Sequence, residues 1–360
     1  MRLAALAGQR AREAAERPVS PFEFWPDWLF YAPIVAQWIL LGLRHGDMSL
    51  PTAANPAIEF GGLCGERKSG ILDLLPPPAR AVLAPYATLP AGSPAAAEAA
   101  MAAAGLSYPV IAKPDIGCNG TGVRLLEDGV ALAQYLADFP AGEPLMLQRY
   151  IADEGEAGIF YVREPDAPSG RITSLTLKYA PTVVGDGRSS IEALVRADPR
   201  AALVPHFYLP RLGDRRHQVP AQGERVRLLL VGNHCKGSIF RDGAAEITPA
   251  LTRRIEAIAR ALPDFHFGRF DVRFASLAAL RRGEGFTVIE INGVGSEATH
   301  VWDARTRLAT AWADQLAHYR AAFAIGRAMR ARGHRSAGIG AMWRSWRRQR
   351  ALMARYPAND

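Results

Sequence analysis

Two segments in the last third of the chain, GRFDVRF (268–274) and FTVIEING (286–293), alternate apolar and polar residues with a period of two. In an extended strand successive side chains point to opposite faces, so each segment has one face to bury. Phe270, Val272 and Phe274 make the apolar face of the first, and Ile289 and Ile291 that of the second. Arg269, Asp271 and Arg273 point the other way, as do Glu290 and Asn292. Once paired, the two strands present two carboxylates, an amide oxygen and two guanidinium groups on one sheet face. That oxygen set (Asp271, Glu290, Asn292) suits Mg²⁺, two ions, or Mn²⁺, with an anion clamp beside it. A solvated salt-bridge face would use the same residue types, but hydrophobic backing this continuous favours a sheet packed on a core.

Only four of the 43 basic residues are lysine: Lys68, Lys113, Lys178 and Lys236. Where arginine replaces lysine almost everywhere, the survivors mark places that need a compact ammonium, such as a phosphate site. Each lies beside glycine, proline or a polar turn, in GERKSG, IAKPDIG, TLKYAP and HCKGS. In YPVIAKPDIGCNGTGV (108–123) a β-branched strand delivers Lys113, Pro114 stops it, and Gly117, Gly120 and Gly122 form a loop. Without Cβ atoms such a loop lets successive N–H groups close over an anion. Three glycines also describe an ordinary turn, and the order is not the Walker pattern, because the lysine comes first. A third segment, LMLQRYIADEGE (145–156), runs an apolar strand into a polar turn. Its main chain at Arg149–Ile151 could read an adenine edge and Glu156 could take ribose hydroxyls; a plain strand end fits equally.

The rest of the chain frames these motifs. With 360 residues, 49% of them hydrophobic, it can bury a full core in two or three domains. Short strands are expected at 81–89, 108–113, 145–151, 158–162, 171–179, 224–231, 268–274 and 286–292, and helices at 94–105, 128–138 and 248–261, the last with Thr248 as N-cap. This mixed order implies α+β layers instead of a regular βαβ series. Residues 20–43 are the most aromatic and apolar stretch and read as a buried or interfacial helix too short to span a bilayer. Residues 51–62 read as loop and turn. Met1 to Arg17 lacks the apolar core of a secretory signal. Three dispersed cysteines, Cys64, Cys118 and Cys235, suggest neither a disulfide framework nor a zinc site, and a reducing cytoplasm suits them.

Together the motifs resemble the ATP-grasp superfamily, in the branch of D-alanine–D-alanine ligases, glutathione synthetases and the ligase domain of cyanophycin synthetase. The resemblance covers about residues 60–310. Lys68 and Lys113 match the two ATP lysines, Gly117–Gly122 the loop over the phosphates, and Gln148–Ile151 the adenine-binding hinge, with Glu156 as ribose acceptor and Glu154 its rival. Lys178 with Tyr179 matches a pair that reaches the γ-phosphate, Asp271, Glu290 and Asn292 the metal ligands, and Arg269 the arginine that steadies the reacting acyl group. Asn233 and Lys236 fall where relatives carry phosphate-side residues.

What the resemblance implies is an α+β ATP-grasp fold, two lobes clasping ATP. The lobes would span 61–150 and 151–318, with a helical aromatic region at 1–60 in place of the usual preceding domain and an Arg-rich helical tail at 319–360. It also implies an ATP- and Mg²⁺-dependent ligase that activates a small carboxylate as an acyl phosphate and joins it to an amine or thiol. A kinase that stops at phosphoryl transfer, or a nucleotide-binding module without catalysis, are the alternatives.

The net charge of +8 is a property of the tail: from Arg320 onward there are ten arginines and one acidic residue. Ile339, Met342, Trp343, Trp346 and Met353 recur there at helical spacing among arginines. Such a helix either lies peripherally on an anionic membrane, at the inner face, or caps the body with a solvated arginine face. A nucleic-acid partner is not indicated, since no basic aromatic sheet surface or recognition helix is evident.

Overall fold

The computed structural model describes residues 19–229 and 237–357. Its eleven described strands are β1 (Tyr86–Pro90), β2 (Val110–Pro114), β3 (Arg124–Leu126), β4 (Pro144–Arg149), β5 (Gly155–Val162), β6 (Arg171–Tyr179), β7 (Thr182–Val184), β8 (Arg225–Arg227), β9 (Ile239–Asp242), β10 (Phe267–Phe274) and β11 (Phe286–Asn292). The helices are α1 (Asp27–His45), α2 (Lys68–Leu72), α3 (Pro94–Ala103), α4 (Gly129–Asp138), α5 (Ile191–Ala197), α6 (Pro205–Leu212), α7 (Pro249–Ala261), α8 (Leu277–Arg281), α9 (Leu308–Ala331) and α10 (Ile339–Met353). The mixture is α+β, and every strand pair is antiparallel.

One sheet has the order β1-β4-β2-β3 and is backed by α3 and α4. Both helices begin where a side chain accepts from a free N–H: Ser93 from Ala96, ahead of Pro94, and Asp128 from Ala131. Their buried Ala97, Met101, Leu132 and Tyr135 meet Val110, Ala112, Leu145 and Leu147 of the sheet. The second sheet has the order β11-β10-β5-β6-β9. Its apolar face, with Ile159, Leu175, Phe270 and Val272, packs on Leu251, Ile255 and Ile258 of α7. The opposite face of this sheet carries the charged residues of β5, β6, β10 and β11. A two-stranded ribbon, β7-β8, covers α5 and α6.

The N-terminal segment and the tail wrap this pair of sheets. Phe22, Phe30 and Ile34 bury against Val301, Trp302 and Ala311, so α1 lies on α9, while Trp28 (71% exposed) and Leu40 (67%) face outward. Helix α10 packs through Leu352 and the following Tyr356 onto Phe139 and the first sheet. Trp343 and Ile339 stay exposed. Among the described residues no helix is long and apolar enough to cross a membrane.

Four expectations need correction. The strand expected at 81–89 begins only at Tyr86: a 3₁₀ turn fills 77–82, and Pro85, which has no N–H, cannot enter the ladder as a donor. The strand expected at 145–151 stops at Arg149, and the one at 224–231 covers Arg225–Arg227, its last two positions, 230 and 231, lying outside the described residues. Ile289 does not share the core with Ile291. The β10–β11 register shifts between Asp271 and Val272, which leaves β11 one residue longer there; Val288 and Ile291 are buried, and Ile289 lines the cleft.

Candidate active site

The charged face of the second sheet looks into a cleft of about 630 Å³. Three lysines from separate elements converge on it. Lys113, at the end of β2, is buried and donates to Gln148 Oε1 (2.9 Å) and, across the gap between sheets, to the Ile289 carbonyl (3.1 Å). Burial pushes its ammonium down to about 8, with Glu290 opposing that shift. Lys68 opens α2, donates to the Gly117 carbonyl and stands 3.6 Å from Glu290. Lys178 on β6 reaches Asp271 at 2.7 Å and Glu156 at 3.3 Å.

Asp271 and Glu290 face each other across the β10–β11 ladder, and Asn292 faces Arg269. The carboxylate of Asp271 also accepts from Arg269 Nε (3.0 Å) and Asn292 Nδ2 (3.0 Å). Despite burial, the neighbouring Arg269 and Lys178 charges hold it down at about 2. Among the described residues no group of three or more His, Cys, Asp or Glu side chains is placed to hold a metal. The donors are two carboxylates and an amide, a set that fits Mg²⁺ only with a substrate's oxygens completing the shell.

The glycine loop stands over this face, joined to Lys68 through Gly117. Gly122 needs its residue type: φ is +74°, and a Cβ would come within 2.8 Å of Pro114 Cγ. The tail holds the loop from outside, Tyr356 donating its hydroxyl proton to the Ile116 carbonyl at 2.8 Å. Gly120 and its neighbours Asn119 and Thr121 line the cleft.

The hinge residues divide. Gln148, Arg149 and Ile151 all line the cleft. Yet Gln148 spends its side chain on Lys113 and the Ala84 carbonyl, and the Arg149 main-chain N–H already donates to the Pro85 carbonyl (2.8 Å). Glu156 lies on the charged face, 3.0 Å from Arg273 as well as near Lys178. Glu154 is exposed in the turn. Asn233 and Lys236 lie outside the described residues.

Several residues in or beside the cleft carried no signal in the sequence. Asp115 fixes the start of α2 by accepting from the Ser69 N–H and hydroxyl, both at 2.7 Å, and its carbonyl accepts from the Lys68 N–H; its place beside Lys113 and Pro114 was the one available hint. The Glu66 carboxylate, raised by burial, has an enclosed oxygen without a partner. Glu297, Tyr31 and Trp302 form a group past Arg269, and Arg350 with Trp346 comes from the tail.

No family model matches the chain, and no curated protein matches it. Among solved structures it is similar to a bifunctional glutathione synthetase of Pasteurella multocida at 17% identity, over 69% of this chain and 36% of that one, with a TM-score of 0.35. VanG D-Ala:D-Ser ligase of Enterococcus faecalis gives 15%, 72%, 62% and 0.41 for the same measures. D-alanine–D-alanine ligase of Bacillus anthracis gives 11%, 75%, 70% and 0.42. The chain thus spans well under two thirds of the synthetase and just under two thirds of VanG, and at such identity no activity passes from them to it.

Proposed function

We propose that this chain is an ATP-dependent ligase of the ATP-grasp kind, which joins a carboxylate to an amine by way of an acyl phosphate. The observation that carries the reading is the convergence of Lys68, Lys113 and Lys178, from three elements, on the cleft that holds Asp271 and Glu290. Three ammonium groups in one partly enclosed site suit a polyanion, and the glycine loop beside them can add main-chain donors.

In this reading Lys68 and Lys113 bind the α- and β-phosphates, and Lys178 turns from Asp271 to the γ-phosphate. Released from Lys178, Glu156 can accept from the ribose. Asp271, Glu290 and the Asn292 amide oxygen would hold Mg²⁺, whose charge offsets that of the phosphates. The substrate carboxylate attacks the γ-phosphorus and ADP leaves; the amine then attacks the acyl carbonyl and phosphate leaves. Arg269, fixed by Asp271, holds a guanidinium where charge develops on the carbonyl oxygen. Loss of one such donor lowers the rate by about 10²–10³.

The test is stoichiometric. Purified protein is given ATP, Mg²⁺ and panels of carboxylates with and without amines, while ADP and free phosphate are followed together. Equal release of both, dependent on carboxylate and amine and abolished in Glu290→Gln, is the expected result. ADP formed with phosphate retained on the product would convert the reading to a kinase. Unimpaired turnover in Glu290→Gln would end the metal assignment.

A further inference from the structure

Past Arg269 the cleft changes character. Its walls there come from the N-terminal segment and from the residues that follow β11: Trp25, Asp27, Tyr31, Glu297 and Trp302. The phosphate chemistry uses none of them. Gly295 and Ser296 are drawn to this place by main-chain contacts, since the Gly295 N–H donates to the Gly62 carbonyl at 2.7 Å and Val294 to Gly61 at 3.0 Å.

Glu297 is the centre of this end. Its carboxylate accepts from the Tyr31 hydroxyl and from Trp302 Nε1 (3.4 Å), both neutral donors. Among the described residues no basic side chain lies within ion-pair distance of it. Arg269 is near, but its guanidinium is committed to Asp271 and donates to the Glu297 main-chain carbonyl (3.1 Å), not to the carboxylate. Glu23, also on this wall, is neutralised by Arg200, whose Nη1 is 3.1 Å away. Asp27 forms no ion pair among the described residues and adds a second negative charge that Glu297 feels. A carboxylate enclosed without a cation is costly, and a cationic ligand would offset its charge.

Resting on the ligase reading above, we infer that this end of the cleft binds the amine substrate through a second, cationic nitrogen, and so selects an alkyl diamine or polyamine over an amino acid. A nitrogen held as an ammonium by Glu297 and Asp27 has no lone pair and cannot attack. The nucleophile is therefore a different nitrogen of the same molecule, reaching back toward Arg269. An amino acid would bring its carboxylate against the enclosed Glu297 and the exposed Asp27, and like charges repel, most strongly at Glu297. Trp25, Tyr31 and Trp302 would cover the methylene chain between the two nitrogens.

The experiment is a calorimetric titration of the full chain with 1,4-diaminobutane, with glycine and with butyrate, in the absence of nucleotide and with a non-hydrolysable ATP analogue present. The diamine binds and the other two do not. Glu297→Gln weakens the diamine by about thirtyfold or more, as loss of one partner of an enclosed charge pair does. Asp27→Asn weakens it less, and Tyr31→Phe, which leaves the carboxylate with Trp302 as its one neutral donor, retains binding. If Glu297→Gln does not fold, the last two variants carry the test. Equal binding of glycine and diamine, no diamine binding under either condition, or unchanged affinity in the acidic variants overturns the inference. Amine-dependent phosphate release with glycine but not with the diamine would retain the ligase reading and reject this one.

Discussion

Asp271 accepts from Lys178, Arg269 and Asn292, whereas Glu290, its neighbour across the ladder, stands 3.6 Å from a single lysine and has a side chain 27% exposed. Replacing them has different consequences. Asp271→Asn leaves the enclosed Arg269 without its counter-charge and Lys178 with Glu156 alone, and should lower unfolding free energy by about 3–5 kcal/mol. Glu290→Gln should stay within about 1 kcal/mol while turnover disappears. Urea unfolding of the two variants reads the contrast. Because Asp271 is held at about 2 against an ordinary value of 3.8, its contribution is complete above about pH 4 and is lost as pH falls through 2. At this scale the alternation in GRFDVRF and FTVIEIN was enough to put Asp271, Glu290 and Asn292 on one face. Ile289 escaped it, since a bulge adds a residue without changing the apolar pattern around it.

Among the elements, α7 and α10 differ in how much local chemistry defined them. Thr248 accepts from the Leu251 N–H at 3.1 Å with Pro249 next to it, so the start of α7 was legible from capping residues alone. The spacing in the tail gave a helix but not its docking site. Tyr356 closes that gap: its ring stacks on Phe139 at 5.2 Å and its hydroxyl reaches Ile116, at the root of the glycine loop. Tyr356→Ala removes a buried aromatic ring and should cost about 3–5 kcal/mol locally. The expected readout is faster proteolytic nicking at 116–122 and a higher KM for ATP, while the far-UV spectrum is kept. Unchanged nicking would mean that the tail does not hold the loop.

Across the whole molecule, Lys113 ties one sheet to the other, its ammonium on β2 and its acceptor, the Ile289 carbonyl, on β11. With its folded value lowered to about 8 from 10.5, both states keep the proton below pH 8 and its contribution there is flat. Between about pH 8 and 10.5 the unfolded chain holds more protons, so this group makes stability rise with pH by up to about 3 kcal/mol. Over the same interval nucleotide affinity should fall as the ammonium loses its charge. Lys113→Met should abolish the rise, which urea midpoints at pH 7.5 and 9.5 would reveal. By itself the sequence determined the strand faces away from the bulge at Ile289, the capped helices and the residue types of the charged face, because periods of two and 3.6 and the chemistry of caps are local. Only the tertiary structure decided that Lys68, Lys113 and Lys178 share a cleft, and that Tyr31 meets Glu297 across 266 positions. Those pairings depend on how two sheets, an N-terminal helix and a tail bury their apolar faces together, and no local pattern records that choice.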